Sequence, residues 1–248
     1  LTFSYEFNQD VSRLAPSLTH LTFGSNFNRD VSKLPPFLTH LTFCYEFNKD
    51  VSALPQSLTN LTFGSYFDQD VSALPQNLTN LTFGSHFDQD VSALPQSLTN
   101  LTFGTYFNQN VSKLPSNITH LIFGRSFNQD VSTLPSNVTH LIFGDYFDQD
   151  ISKLPSTITL LELGYSFFQQ CQIPSNIKYL VLSSNNQYII NSLPNSIVEL
   201  KLCAYFDLEM NNLPTSIKKL VIGKNNGYYN ADLNCLPDFI EELQLNKT

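Results

Sequence analysis

Positive charge is scarce in this chain, where 13 Lys and Arg stand against 21 Asp and Glu for a net charge of −8. Without a basic stripe there is little to hold a phosphate backbone, so nucleic acid and anionic membranes are poor partners, and the acidity favours solubility. No apolar run reaches the roughly eighteen residues that a membrane-spanning helix needs. Cysteine is sparse as well: Cys44, Cys171, Cys203 and Cys235 occupy different repeat positions and form no C-x-x-C pair. That spacing fits neither a disulfide framework nor a zinc site, so reduced thiols are expected. No glycine-rich phosphate loop follows a strand-like segment, and no Ser, His and acid group breaks the repeat symmetry. No catalytic residues and no cofactor are therefore expected.

What is present is apolar and aromatic. With 42% hydrophobic residues, 21 Phe and only 14% charged residues, the chain has ample surface to bury and too little charge for disorder. It opens at Leu1 in the middle of a unit, with no charged n-region or cleavage signature, as a fragment of a longer protein would.

The chain repeats. The unit Leu21-Thr22-Phe23-Gly24-Ser25-Asn26-Phe27-Asn28-Arg29-Asp30-Val31-Ser32-Lys33-Leu34-Pro35-Pro36-Phe37-Leu38-Thr39-His40 restarts at Leu41, a period of twenty. Thirteen strand-like Leu-x-apolar triplets follow this spacing, from Leu1 through Leu21 and its equivalents to Leu161, then at Leu180, Leu200, Leu220 and Leu243. The apolar positions Leu18, Leu21, Phe23, Phe27, Val31 and Leu34 have no helical period, so a short strand and an irregular return fit best. Alternation along the strand sends Leu21 and Phe23 inward and His20, Thr22 and Gly24 outward. Asp30, Ser32 and Pro35 favour turns over helix, which makes the return an irregular or 3₁₀-like arc. The expected fold is a mainly β repeat solenoid, a leucine-rich-repeat-like right-handed coil with one parallel sheet of about thirteen rungs. One domain spans 1–248, regular over 1–170 and degenerate over 171–248.

The string Leu-Pro-x-Ser-Leu-Thr-x-Leu-Thr-Phe-Gly-x-x-Phe-Asn-Gln, present at Leu54 to Gln69 with Asp68 for the Asn, resembles the FNIP repeat family. The likeness covers nearly the whole chain through twelve Leu-Pro-like steps, the first at Leu14 and the last at Leu236. It implies a leucine-rich-repeat-like interaction module of the kind found in giant DNA viruses of amoebae and in social amoebae. It implies no catalytic residues. Two departures stand out: Asp30-Val31 where family units commonly carry Pro and Ile, and Phe168, Gln187 and Leu208 where earlier units have Asn or Asp.

Three groups of side chains are candidate sites. Asp10, Asp30, Asp50, Asp70, Asp90, Asp130 and Asp150 form an acidic column, each acid expected to accept hydrogen bonds from the turn that follows it, as Asn110 at the same position can. The competing reading is calcium between rungs, held by Asp68, Asp70, Asp88 and Asp90. His20 with His40, and His120 with His140, are exposed pairs without a third metal ligand, which favours a polar sheet face. The outward column of Thr22, Thr42, Thr62, Thr82 and Thr102 turns apolar at Ile122, Ile142, Leu160, Tyr179 and Val181, with Tyr106, Tyr146 and Tyr165 nearby. That change marks the expected partner footprint.

The function expected is a cytoplasmic, non-catalytic scaffold that binds an unidentified protein through the open sheet face, in the host-cell cytoplasm and with a host protein if the chain is viral. The alternative is a secreted or surface recognition protein that binds carbohydrate. Eight Asn-x-Ser/Thr sequons accompany that alternative, but those at Asn60, Asn80 and Asn100 would crowd glycans onto adjacent rungs.

Overall fold

The structure, a computed structural model, describes residues 1–202, 209–223 and 236–246. Cys203, Leu208, Cys235 and Lys247 lie outside them. The chain divides into two compact units, residues 1–129 and 130–248.

In the first unit six three-residue strands run parallel and pair in sequence order: β1 (His20–Thr22), β2 (His40–Thr42), β3 (Asn60–Thr62), β4 (Asn80–Thr82), β5 (Asn100–Thr102) and β6 (His120–Ile122). The register is one full repeat, so Leu21 faces Leu41 and Leu41 faces Leu61. The rung at Leu1 contributes a single bridge, Thr2 to Thr22. The second unit holds β7 (His140–Ile142), β8 (Leu160–Leu163), β9 (Tyr179–Leu182), β10 (Glu199–Leu202), β11 (Lys219–Gly223) and β12 (Glu242–Asn246), again parallel and in order. This is the leucine-rich-repeat-like β-coil expected from the pattern, twelve strands among the described residues plus the bridge at Thr2.

Each coil closes on its own apolar residues. Leu81, Phe83, Phe87, Val91, Leu94 and Leu98 of one coil are all buried, as are their equivalents in neighbouring coils. Within that coil Phe83 lies flat on Phe87 with centroids 3.7 Å apart, and Phe87 sits 6.1 Å from both Phe67 and Phe107. Each ring thus meets a partner in its own coil and one on either side, and a coil without neighbours would leave both of its rings half-covered. Phe3 and Phe7, in the first coil, show that condition: both are only partly buried.

Between strands the chain returns through single turns, such as Leu94 N–H to Val91 O at 3.4 Å and Leu98 N–H to Pro95 O at 3.2 Å. An amide column ties successive coils together just ahead of the first of these bends. Asn28 Oδ1 accepts the Asn48 backbone N–H at 3.1 Å, Asn48 Oδ1 accepts that of Asp68 at 3.1 Å, and Asp68 Oδ1 accepts that of Asp88 at 3.0 Å. Only an acceptor is required, which is why Asn and Asp interchange there. The column stops at Phe168, whose N–H still bonds to Asp148 but which has no side-chain acceptor to pass on. One repeat later the return contains a helix that the sequence pattern did not announce, α1 (Gln187–Asn191). Asn186 caps it, accepting the Ile189 N–H at 3.2 Å and donating to the Phe167 and Gln169 carbonyls.

One expectation is corrected. The glycine column does not stand open to solvent: Gly24 and Gly164 are buried, Gly64, Gly84, Gly104, Gly124 and Gly144 are half-buried, and a Cβ added at Gly84 would land on the Gly64 carbonyl of the preceding coil. Glycine recurs there because successive backbones approach closely, although Cys44 occupies the same position with a side chain. Cys44 and Cys171 are free thiols, half-buried, and burial pushes the Cys171 thiol up from its ordinary pKa. Among the described residues no helix is long and apolar enough to cross a membrane.

Candidate functional site

In a three-residue strand whose middle side chain points inward, the two flanking residues emerge on the open face. In the first unit these make two columns, His20-His40-Asn60-Asn80-Asn100-His120 and Thr22-Thr42-Thr62-Thr82-Thr102-Ile122. The alternation of His and Asn has a common cause in the Thr before them. Thr39 Oγ1 donates to the Thr19 carbonyl and Thr59 Oγ1 to that of Thr39, both at 3.1 Å. Each hydroxyl also meets the side chain of the next residue, those of Thr59 and Thr99 donating to the Asn60 and Asn100 Oδ1. Asn80 Nδ2 donates to Thr79 Oγ1 at 2.9 Å, and His40 Nδ1 lies 2.9 Å from Thr39 Oγ1 in the same place. Asn Nδ2 and His Nδ1 stand the same number of bonds from Cβ, so either can supply that donor. His20 and His40 stack at 4.2 Å with rings 11° apart, a packed polar pair. Among the described residues no group of three or more His, Cys, Asp or Glu is placed to hold a metal ion.

The acidic residues divide between two structural duties. Asp70 and Asp90 each accept both the N–H and the hydroxyl of the Ser two residues on, at 2.7–3.0 Å. The same turn recurs at Asp10, Asp30, Asp50, Asp130 and Asp150, and Asn110 keeps the backbone half of it. Asp68 and Asp88 belong instead to the amide column, with Asp68 Oδ1 also taking Gln89 Nε2 at 3.0 Å. The four carboxylates named for calcium thus divide into two pairs, each with its own donors. The Ser donors hold six of the turn acids below the ordinary carboxylate range: the backbone N–H is the larger cause at Asp10, Asp50, Asp130 and Asp150, the hydroxyl at Asp30 and Asp90.

In the second unit the open face changes character. Its columns are His140-Leu160-Tyr179-Glu199-Lys219-Glu242 and Ile142-Glu162-Val181-Lys201-Val221-Gln244. Four of the residues expected at the footprint, Ile142, Leu160, Tyr179 and Val181, are brought together on three adjacent strands, Tyr179 being 45% exposed and the others half-buried. Tyr146 and Tyr165 are exposed in the turns after β7 and β8. Ile122 and Tyr106 belong to the first unit, where Tyr106 ends an exposed aromatic series with Tyr45, Tyr66 and His86 whose ring centroids lie 4.7–5.2 Å apart. The apolar footprint is also not continuous as expected: Glu162 lies in register between Ile142 and Val181. Burial pushes its carboxyl up from the ordinary range, partly countered by Lys201. Sequence reasoning passed over Glu162, although it is the first charged residue in that outward column.

The FNIP Repeat model matches six times, over residues 30–66, 50–86, 70–106, 107–133, 130–166 and 168–204. Among solved structures the chain is similar to CroV588, described as a novel circular LRR protein, with 37% identity and a TM-score of 0.80 over 98% of this chain. The chain spans 42% of the length of CroV588. It also resembles the internalin InlF of Listeria monocytogenes, with 17% identity and a TM-score of 0.53 over 94% of this chain and 82% of the internalin, a likeness of fold. No curated protein matches it in sequence.

Proposed function

Because the chain belongs to the FNIP repeat family and folds as an LRR-like repeat scaffold, we propose that it is a non-catalytic protein-interaction module that receives a host-cell protein on the open sheet face of its second unit. One observation carries this reading: Ile142, Leu160, Tyr179 and Val181 emerge side by side at positions that are Thr, Asn or His in β1 to β5. The coil does not need apolar residues there, since β1 to β5 pair in the same register without them. Adjoining apolar side chains on an open surface are the usual mark of a protein interface. The likeness to CroV588 supports a viral origin, and with it the host cytoplasm as the place of action. Crowding of the sequons at Asn60, Asn80 and Asn100 on adjacent paired strands supports the same location.

Affinity capture from amoebal lysate with the wild-type chain, Ile142→Glu and Val181→Glu tests the proposal, with circular dichroism to verify folding. Proteins retained by the wild type and lost from both folded variants are expected. Identical capture by all three would remove the face from consideration. A second reading, carbohydrate binding, is favoured by the exposed series of rings Tyr45, Tyr66, His86 and Tyr106, with the Thr62, Thr82 and Thr102 hydroxyls on the strands just before the last three. Glycan-array signal abolished by Tyr66→Ala and Tyr106→Ala would support it.

A further inference from the structure

Glu162 does not fit its surroundings. It projects from β8 onto the open face with Ile142 on one neighbouring strand, Val181 on the other and Leu160 two residues before it on its own. Its carboxyl is half-buried, and among the described residues it has no hydrogen-bond or salt-bridge partner. The nearest cation in its column is Lys201, two strands away, roughly 10 Å at the usual strand spacing. The other acids of this face are supplied differently: Lys219 stands between Glu199 at 3.8 Å and Glu242 at 3.5 Å.

A half-desolvated carboxylate without a partner is costly, and the repeat does not demand it, since the equivalent positions hold Thr, Ile, Val, Lys or Gln. Removing the acid would relieve that cost. Supplying a cation from outside would relieve it equally, and would convert the cost into discrimination among partners. Resting on the reading of this face as the protein-binding surface, we propose that the partner inserts an arginine, flanked by apolar residues, whose guanidinium pairs with Glu162 and whose stem lies along Val181 and Tyr179.

The surroundings favour arginine over lysine. A guanidinium bonds a carboxylate through two parallel N–H donors and sheds water more readily than an ammonium, which suits a site walled by Ile142, Leu160 and Val181. Tyr179, diagonally across from Glu162, offers a ring face within reach of the same cation, and its 45% exposure leaves that face accessible. The apolar neighbours exclude water from the pair and strengthen it. The chain's net charge of −8 favours approach of a basic segment.

A phage-displayed random peptide library, selected in parallel on the wild-type chain, Glu162→Gln, Glu162→Lys and Val181→Ser, tests this, each variant first checked for an unaltered circular dichroism spectrum and melt. Wild type should enrich peptides with an Arg between apolar residues, and synthetic copies should bind Glu162→Gln about tenfold or more weakly. Glu162→Lys should switch the selected charge to Asp or Glu, and Val181→Ser should weaken every selected peptide. Apolar peptides enriched without Arg, or Arg peptides held equally by wild type and Glu162→Gln while Val181→Ser weakens them, would overturn the arginine and leave the face standing. No enrichment at all, or peptides indifferent to both Glu162→Gln and Val181→Ser, would overturn the face and the arginine together.

Discussion

At the scale of single residues, each repeat position is defined by the group it must supply rather than by its charge. The turn acids need two acceptor oxygens for one Ser, and Asn110 shows that a single neutral oxygen still makes the turn with the Ser112 N–H. The carboxyl pKa values of Asp50 and Asp90 are lowered in the fold, so their contribution is present above the unfolded value of about 3.9 and lost as pH falls through the lower folded value. Replacing both with Asn should leave the fold intact and flatten the loss of stability below about pH 4, as thermal melts across that range would show. Glu162 has the opposite sign, its raised carboxyl favouring the folded state only when protonated. The turn acids were legible because Asp-x-Ser is a local signal. The role of Asn28 and Asn48 was not, since each side chain bonds to a backbone amide a full repeat away and leaves no mark on its own neighbours.

At the scale of the strand and its return, alternation foretold which side chains point inward, and Leu81, Phe83 and Phe87 lie where it put them. It misassigned the glycine because a side chain's absence has no direction in a sequence; the carbonyl of the preceding coil supplies one. Gly84→Ala should therefore destabilise well beyond the ordinary glycine-to-alanine change of roughly 1 kcal/mol, in the opposite sense to the gain alanine gives at a compatible site. Urea unfolding of that variant is the check. The helix at Gln187–Asn191 escaped notice for a different reason: five residues are too few to show a helical period, and only the Asn186 cap and the buried Ile189 and Ile190 hold it. Glu162 escaped because a single charged residue carries no weight in a repeat pattern, and its importance depends on what flanks it on the adjoining strands.

At the scale of the whole chain, one set of side chains maintains the coil and another lies on its open face. The inner set is nearly invariant: Phe at 27, 47, 67, 87, 107, 127, 147 and 167, buried at every one. The outer set drifts from Thr, Asn and His in the first unit to apolar and charged residues in the second, which would be costly if those positions maintained the coil. Unfolding free energies of Phe87→Ala and Thr82→Ala, two residues of the same coil on opposite sides of the sheet, test this division most directly. The account predicts a loss of about 3–5 kcal/mol for the phenylalanine and less than about 1 kcal/mol for the threonine. Equal losses, or the larger one at Thr82, would contradict it.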